Sequence, residues 1–260
     1  MKSFFVALMV AWVMLLAHNV ALAQPIPDAD AAWKQVRQAA ALWPPPRPAD
    51  TNHQDEVPLC KQNADIAAAI AAKAKAFYTR FPNSTNTAAA KLLQSKMSRL
   101  ADILYRRYRF LHALGNPIDI KFTAVDGREV DLSQMKGHVV LLEFWATWCP
   151  GCVAEIPRIK EAYDKYHAQG FDVIGISLDT DKKALDDFVQ QHQIPWPQYF
   201  DDRVKEISKV RDNRFDSQFG IEGIPALWLV NKKGIMCDAS AYDDLAGKIQ
   251  KLLPRSDDFN

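Results

Sequence analysis

The stretch "LLEFWATWCPGCVAEIP", Leu141 to Pro157, sets two cysteines three residues apart between an apolar run and a helical pattern. The run Val139–Trp145 reads as a strand buried on both faces, and such strands occur in sheets whose faces are covered by helices. From Pro150 to Ala168 the pattern becomes helical. Cys149 therefore falls where the strand has ended and a helix begins, and Pro150 suits the first helical position because its missing N–H has no helical partner there.

The same grammar continues downstream. Phe171–Ser177 is a second buried strand and Asp181–Gln191 a second helix. Beyond "IPWPQYFDD" comes a charged helical stretch near Val204–Gln218; then Ala226–Val230, the turn Asn231–Gly234 and Ile235–Asp238 form an antiparallel hairpin, and a helix at Tyr242–Leu253 closes the chain. Upstream, "IDIKFTAVDGREVDLSQMKG" alternates apolar and polar residues about Asp126-Gly127, as a β-hairpin does. These elements predict an α/β domain over residues 116–260, with a central mixed sheet and helices on both faces.

Residues 24–115 are different: alanine-rich and helical, without catalytic lettering. Helices are expected at Asp28–Leu42 and Asp65–Arg80, separated by the stiff "WPPPRPAD", and a long one from Thr87 to Leu114 ends at Gly115-Asn116-Pro117. In the last, Leu92, Leu93, Met97, Leu100, Ile103, Leu104, Tyr108 and Leu111 recur at helical spacing. This N-terminal helical region holds 13 Lys/Arg against 7 Asp/Glu, a net of +6, whereas residues 116–260 hold 18 against 24, a net of −6. The two charges cancel, so the chain has no nucleic-acid signature. Arg99, Arg106, Arg107 and Arg109 form either a docking face or a solvated helix surface.

The first residues point to export. Lys2 precedes the apolar run Phe4–Ala17, and Ala21-Leu22-Ala23 offers a cleavage site. The run is shorter than the ~20 residues needed to span a bilayer. Residues 1–23 are expected to be a signal peptide cleaved near Ala23, giving a periplasmic or otherwise exported protein; an uncleaved anchor is the alternative and would be its sole tie to a membrane. Outside the cytoplasm disulfides persist. Four cysteines, Cys60, Cys149, Cys152 and Cys237, are too few for a disulfide scaffold in 260 residues.

Three chemistries compete for Cys149 and Cys152. A structural zinc needs four ligands, but Cys60 and Cys237 stand alone and His138, His167 and His192 follow no ligand spacing. A purely structural staple is the second option. The third is electron exchange: unpaired amides and the positive end of the helix macrodipole stabilise a thiolate at Cys149, making it the candidate nucleophile. Cys152, one turn further in, is then the resolving partner. Cys60 and Cys237 either pair or remain thiols, since sequence does not supply their separation.

Together "EFWATWCPGCVAEIP" and "GIPALWLVNKKG" resemble motifs of the thioredoxin superfamily, in particular its exported TlpA/ResA-like thiol–disulfide oxidoreductases, over residues ~116–254. The resemblance implies a thioredoxin-like fold and a redox-active Cys149–Cys152 disulfide with no other cofactor and no metal. It implies that Glu143, six positions before Cys149, exchanges a proton with Cys152 through water; a strand-end glutamate reaching solvent is the plain alternative. It implies a cis proline at Pro225, whose predecessor Ile224 pairs main chain to main chain with an extended substrate segment; an ordinary trans proline is the alternative. Trp148, Pro150, Gly151, Ile224 and Pro225 make up the expected substrate-binding surface, with Trp145 in the core. Relatives often carry threonine after this proline, whereas this chain has Ala226. The implied partners are protein disulfides, such as those of apocytochrome c or copper-site proteins, and an upstream thiol–disulfide electron donor.

Two other functions compete with this one. A thiol peroxidase shares the fold and the look of "GFDVIGISLDTD", but its threonine lies three positions before the reactive cysteine, and Thr147 lies two before Cys149. A binding module would use the N-terminal helices to hold a protein or copper, with the C-terminal half as scaffold.

Overall fold

The computed structural model describes residues 28–41, 43, 53–207 and 212–253. The expected signal peptide and most of "WPPPRPAD" lie outside the described residues. Two compact units divide the chain: Met1–Ala49 with Gln62–Asp102, and Asp50–Lys61 with Ile103–Asn260.

The first unit is helical. Helix α1 is Ala29–Ala41, α2 is His53–Arg80 and α3 is Thr87–Ala113. On α2 the buried residues Ala64, Ala67, Ile70, Ala71, Ala74 and Phe77 recur at three and four, so they share one face. Ala32 and Val36 of α1, Ala74 and Phe77 of α2 and Ala90 of α3 form a small core, with Trp33 and Phe77 rings 5.2 Å apart. Helix α2 starts twelve residues before the expected Asp65 and contains Pro58. A proline in the second turn costs a hydrogen bond near a helix end, which a helix this long tolerates. Two residues of the predicted α3 stripe, Leu92 and Ile103, are exposed instead; helical spacing identifies a candidate face, and packing uses part of it.

The second unit is built on five strands: β3 (Val139–Trp145), β4 (Phe171–Ser177), β5 (Gln198–Tyr199), β6 (Ala226–Val230) and β7 (Met236–Asp238), preceded by the separate hairpin of β1 (Lys121–Thr123) and β2 (Glu129–Asp131). The sheet order is β5-β4-β3-β6-β7; β3 runs parallel to β4 and antiparallel to β6. Every residue of β3 is buried, as its apolar sequence predicts. Its side chains alternate between faces. On one face Phe144 and its neighbour Trp228 meet Phe219 of helix α6 (Arg214–Phe219), and Trp228 also meets Phe110 of α3. On the other, Trp145 meets Phe188 of helix α5 (Lys182–Gln191). Helix α4 (Pro150–Tyr166) follows β3, and α7 (Leu245–Leu252), capped by Asp244, ends the described chain. The fold is the mixed sheet with helices on both faces that the sequence implies.

The last turns of α3 belong to this unit. Arg106 pairs with Asp216 of α6 at 2.8 Å, and the Asp216 side chain is fully buried. Gly220, which ends α6 at φ +68°, passes so close that a Cβ there would lie 2.2 Å from the Arg106 carbonyl oxygen. Strand β5 is missed by the sequence reading, because two residues beside Pro197 carry no periodic signal. The expected helix near Val204–Gln218 is realised only as α6: Val204–Glu206 and Asn213 are not helical, and residues 208–211 lie outside the described residues. Among the described residues no helix is long and apolar enough to cross a membrane.

Candidate active site

Strand β3 delivers the chain to Ala146, and the turn Ala146–Cys149 closes with a hydrogen bond from the Cys149 N–H to the Ala146 carbonyl. Cys149 then caps α4. Its backbone is extended (φ −99°, ψ 103°), and its Sγ accepts the Cys152 N–H at 3.2 Å. The two sulfurs are joined in a disulfide with their Cα atoms 5.2 Å apart. Cys149 is 8% exposed and Cys152 0%, so an incoming sulfur can meet only Cys149. A capping sulfur that accepts an amide at a helix N-terminus is electrostatically suited to carry negative charge.

The turn is held from behind by a residue the sequence reading overlooked. Asp179, 3% exposed, accepts the Thr147 N–H and, at 2.6 Å, the Thr147 hydroxyl; it also accepts the Ser177 hydroxyl at 2.8 Å. An acid two residues past a buried strand, in "ISLDTD", was the available signal. Asp179→Ala strands these donors, and an unmet buried donor costs about 1–3 kcal/mol. The variant should unfold at lower urea and be reduced by dithiothreitol at an altered rate; unchanged values for both would remove Asp179 from the site.

The Ile224–Pro225 peptide is cis. Its ring lies against the cysteine turn: a Cβ on Gly151 would sit 3.5 Å from the Pro225 Cδ. The Tyr242 hydroxyl donates to the Pro225 carbonyl, and Arg158 of α4 donates to the Tyr242 carbonyl while pairing with Glu155 at 2.5 Å. Gly151 and Pro225 are thus neighbours, with Trp148 (43% exposed), Pro150 and Gly151 open to solvent and Ile224 and Pro225 half-buried. Trp145 is fully buried.

Glu143 does not reach solvent. It is 1% exposed, and neither carboxyl oxygen makes a hydrogen bond. Burial pushes its pKa up to about 8; the Trp196 indole pulls it down and the Glu155 charge adds to the rise. The indole N–H faces the carboxyl group but falls outside hydrogen-bonding geometry, since the Trp196 nitrogen is itself without a partner. Neither remaining cysteine forms a disulfide: Cys60 is a buried thiol, and Cys237 is held above its ordinary pKa by partial burial and by Asp238. Among the described residues no group of three or more His, Cys, Asp or Glu is placed to hold a metal.

Residues 115–238 match the AhpC/TSA family, just under half of the chain. A thiol–disulfide oxidoreductase ResA of Bacillus cereus is 29% identical over 136 residues, which cover 51% of this chain and 73% of that protein. This segment is similar to AhpC/TSA domains and has the thioredoxin-like fold described above. The thiol–disulfide oxidoreductase ResA of Bacillus subtilis is 26% identical over 109 residues, 42% of this chain and 56% of that one. Among solved structures, the thioredoxin domain of a thiol–disulfide oxidoreductase from Bacteroides vulgatus aligns with a TM-score of 0.47 at 25% identity, over 55% of this chain and 99% of that one. The thioredoxin-fold domain is a thiol–disulfide oxidoreductase, and its Cys149–Cys152 disulfide lies at the N-terminus of α4.

Proposed function

We propose that the protein is an exported disulfide reductase that acts on partner proteins. In its reduced form the Cys149 thiolate attacks one sulfur of a substrate disulfide; that S–S bond breaks and the other substrate sulfur leaves as a thiolate. Cys152 passes its proton to the Glu143 carboxylate and attacks the Cys149 Sγ. The mixed disulfide breaks, the second substrate sulfur is released, and two electrons have moved to the substrate. The pair is left as the disulfide seen here, and an upstream dithiol must restore it.

The observation that carries this reading is the unequal pair: a capping sulfur at the surface and a buried one behind it. Trp148, Pro150, Gly151, Ile224 and Pro225 would receive an extended substrate segment, the Ile224 backbone pairing with it. Disulfides of apocytochrome c or of copper-site proteins are the substrate class, and the apolar run at Phe4–Ala17 supports a reaction outside the cytoplasm. For the thiol-peroxidase alternative, the hydroxyl of Thr147 is engaged by Asp179.

The test is trapping. Cys152→Ala leaves the mixed disulfide unresolved, so exported proteins should be recovered linked through Cys149 and identified by mass spectrometry. Recovery of no cysteine-linked protein from cells making this variant would sink the reading.

A further inference from the structure

The sheet carries buried polar atoms that hydrogen bonding leaves unpaired. Glu143 on β3 is the register partner of Gly175 on β4, and Gly175 is that of Gln198 on β5. Residues in register present their side chains to the same face. Gly175 has none, and the Gln198 amide lies in its place: a Cβ on Gly175 would fall 2.0 Å from the Gln198 Oε1 and 2.5 Å from its Nε2. The amide therefore occupies the position beside Glu143. Its oxygen accepts the Trp145 indole N–H at 2.9 Å, which leaves its NH2 group as the donor end. That nitrogen, the Trp196 indole nitrogen and both Glu143 oxygens are all buried without a hydrogen bond, and Gln198 and Trp196 are each 1% exposed.

Two donors thus flank one acceptor inside the core, each unsatisfied at a cost an apolar core would not carry. We propose that Gln198 and Trp196 are positioning residues that stabilise the ionised form of Glu143 when its proton leaves, by offering its carboxylate an amide N–H and an indole N–H. With Glu143 protonated these donors wait; once the proton leaves, or before one arrives from Cys152, they stabilise the anion that burial disfavours. The charged group facing Glu143 from α4 is Glu155, itself paired with Arg158, while the partners on β4 and β6 are the uncharged Gly175 and Leu227. Glu155 opposes ionisation, so the two donors are what favours it. The inference rests on the reading of Glu143 as the proton carrier for Cys152.

The experiment titrates Glu143 directly in the oxidised protein, by NMR of 13C-labelled glutamate carboxyl groups, with Glu143→Gln identifying the signal. Gln198→Met keeps the volume and removes the donor, Trp196→Phe removes the indole N–H, and Gly175→Ala displaces the amide without altering Gln198. Each should raise the midpoint by about one pH unit, a tenfold change in ionisation constant. Should Gln198→Met fail to fold, Gly175→Ala reads the same donor. An unmoved or lowered midpoint in either the Gln198 arm or the Trp196 arm overturns the proposal. The proton-carrier reading fails separately: it is lost if Glu143→Gln leaves the pH profile of Cys152 alkylation unchanged in the reduced protein, whatever the titrations show.

Discussion

Asp216→Ala should destabilise the thioredoxin-fold domain by about 3–5 kcal/mol, because removing one partner of a buried ion pair deprives the other, in the core, of the charge that pairs with it. Asp216 is fully buried and Arg106 is 11% exposed, so solvent screens neither. A loss of that size is a large fraction of the ~5–15 kcal/mol that holds a domain together, and for a domain of this length it lowers the Tm by about 6–20 °C. Thermal and urea unfolding measure it. The double variant Arg106→Met with Asp216→Leu should recover most of the loss, since apolar residues of similar volume carry no desolvation cost. Gly220→Ala tests the same junction sterically, because its Cβ would collide with the Arg106 carbonyl and φ +68° strains any residue with a Cβ. A loss below about 1 kcal/mol for Asp216→Ala would show that α3 does not anchor the domain through this pair. The functional consequence concerns where the enzyme begins: a fragment starting at residue 116 would lack Arg106, Phe110 and Leu111, which pack in this unit.

Glu143→Gln should stabilise the oxidised protein at alkaline pH while impairing turnover. The sign follows from linkage. The folded-state pKa is raised to about 8 from an ordinary 4.5, so between these values the native state holds a proton that the unfolded chain has released, and stability falls as pH rises through that window. Below about 4.5 the carboxyl group is neutral in both states and costs nothing. Above about 8 the full penalty is present, on the order of a few kcal/mol. Glutamine removes it, so the variant's advantage should be absent near pH 4 and grow towards pH 8, read from urea unfolding at a series of pH values. Turnover should move the other way, because Cys152 has lost its proton acceptor; general acid–base groups contribute about 10²–10⁴-fold. A variant no more stable than the parent at pH 8 would contradict the burial argument, and one with undiminished turnover would remove Glu143 from the mechanism.

The two predictions differ in how visible their residues are in the sequence. Glu143 draws attention because a carboxylate inside "VVLLEFW" breaks an apolar run that otherwise has no use for charge. Arg106 does not: among Arg99, Arg107 and Arg109 it reads as one more charge on a helix surface, and its pairing with Asp216, more than a hundred residues away, gives it a buried role. Asp179 and Gln198 are hidden for the same reason. Nothing local distinguishes a polar residue that ends in solvent from one that ends against a distant backbone N–H or in the space above a glycine.

The sequence alone determined what depends on neighbours along the chain: the buried strands Val139–Trp145, Phe171–Ser177 and Ala226–Val230, the helix that starts at Pro150, and the cysteine at its cap. Apolar periodicity, proline and backbone amides act over a few residues, and their signals are written there. The tertiary structure decided what depends on residues far apart in sequence: Pro225 lies beside Gly151, the end of α3 is drawn into the catalytic unit, and an amide takes the place of a missing side chain beside Glu143. Such contacts are set by strand register and sheet order, which no single segment encodes.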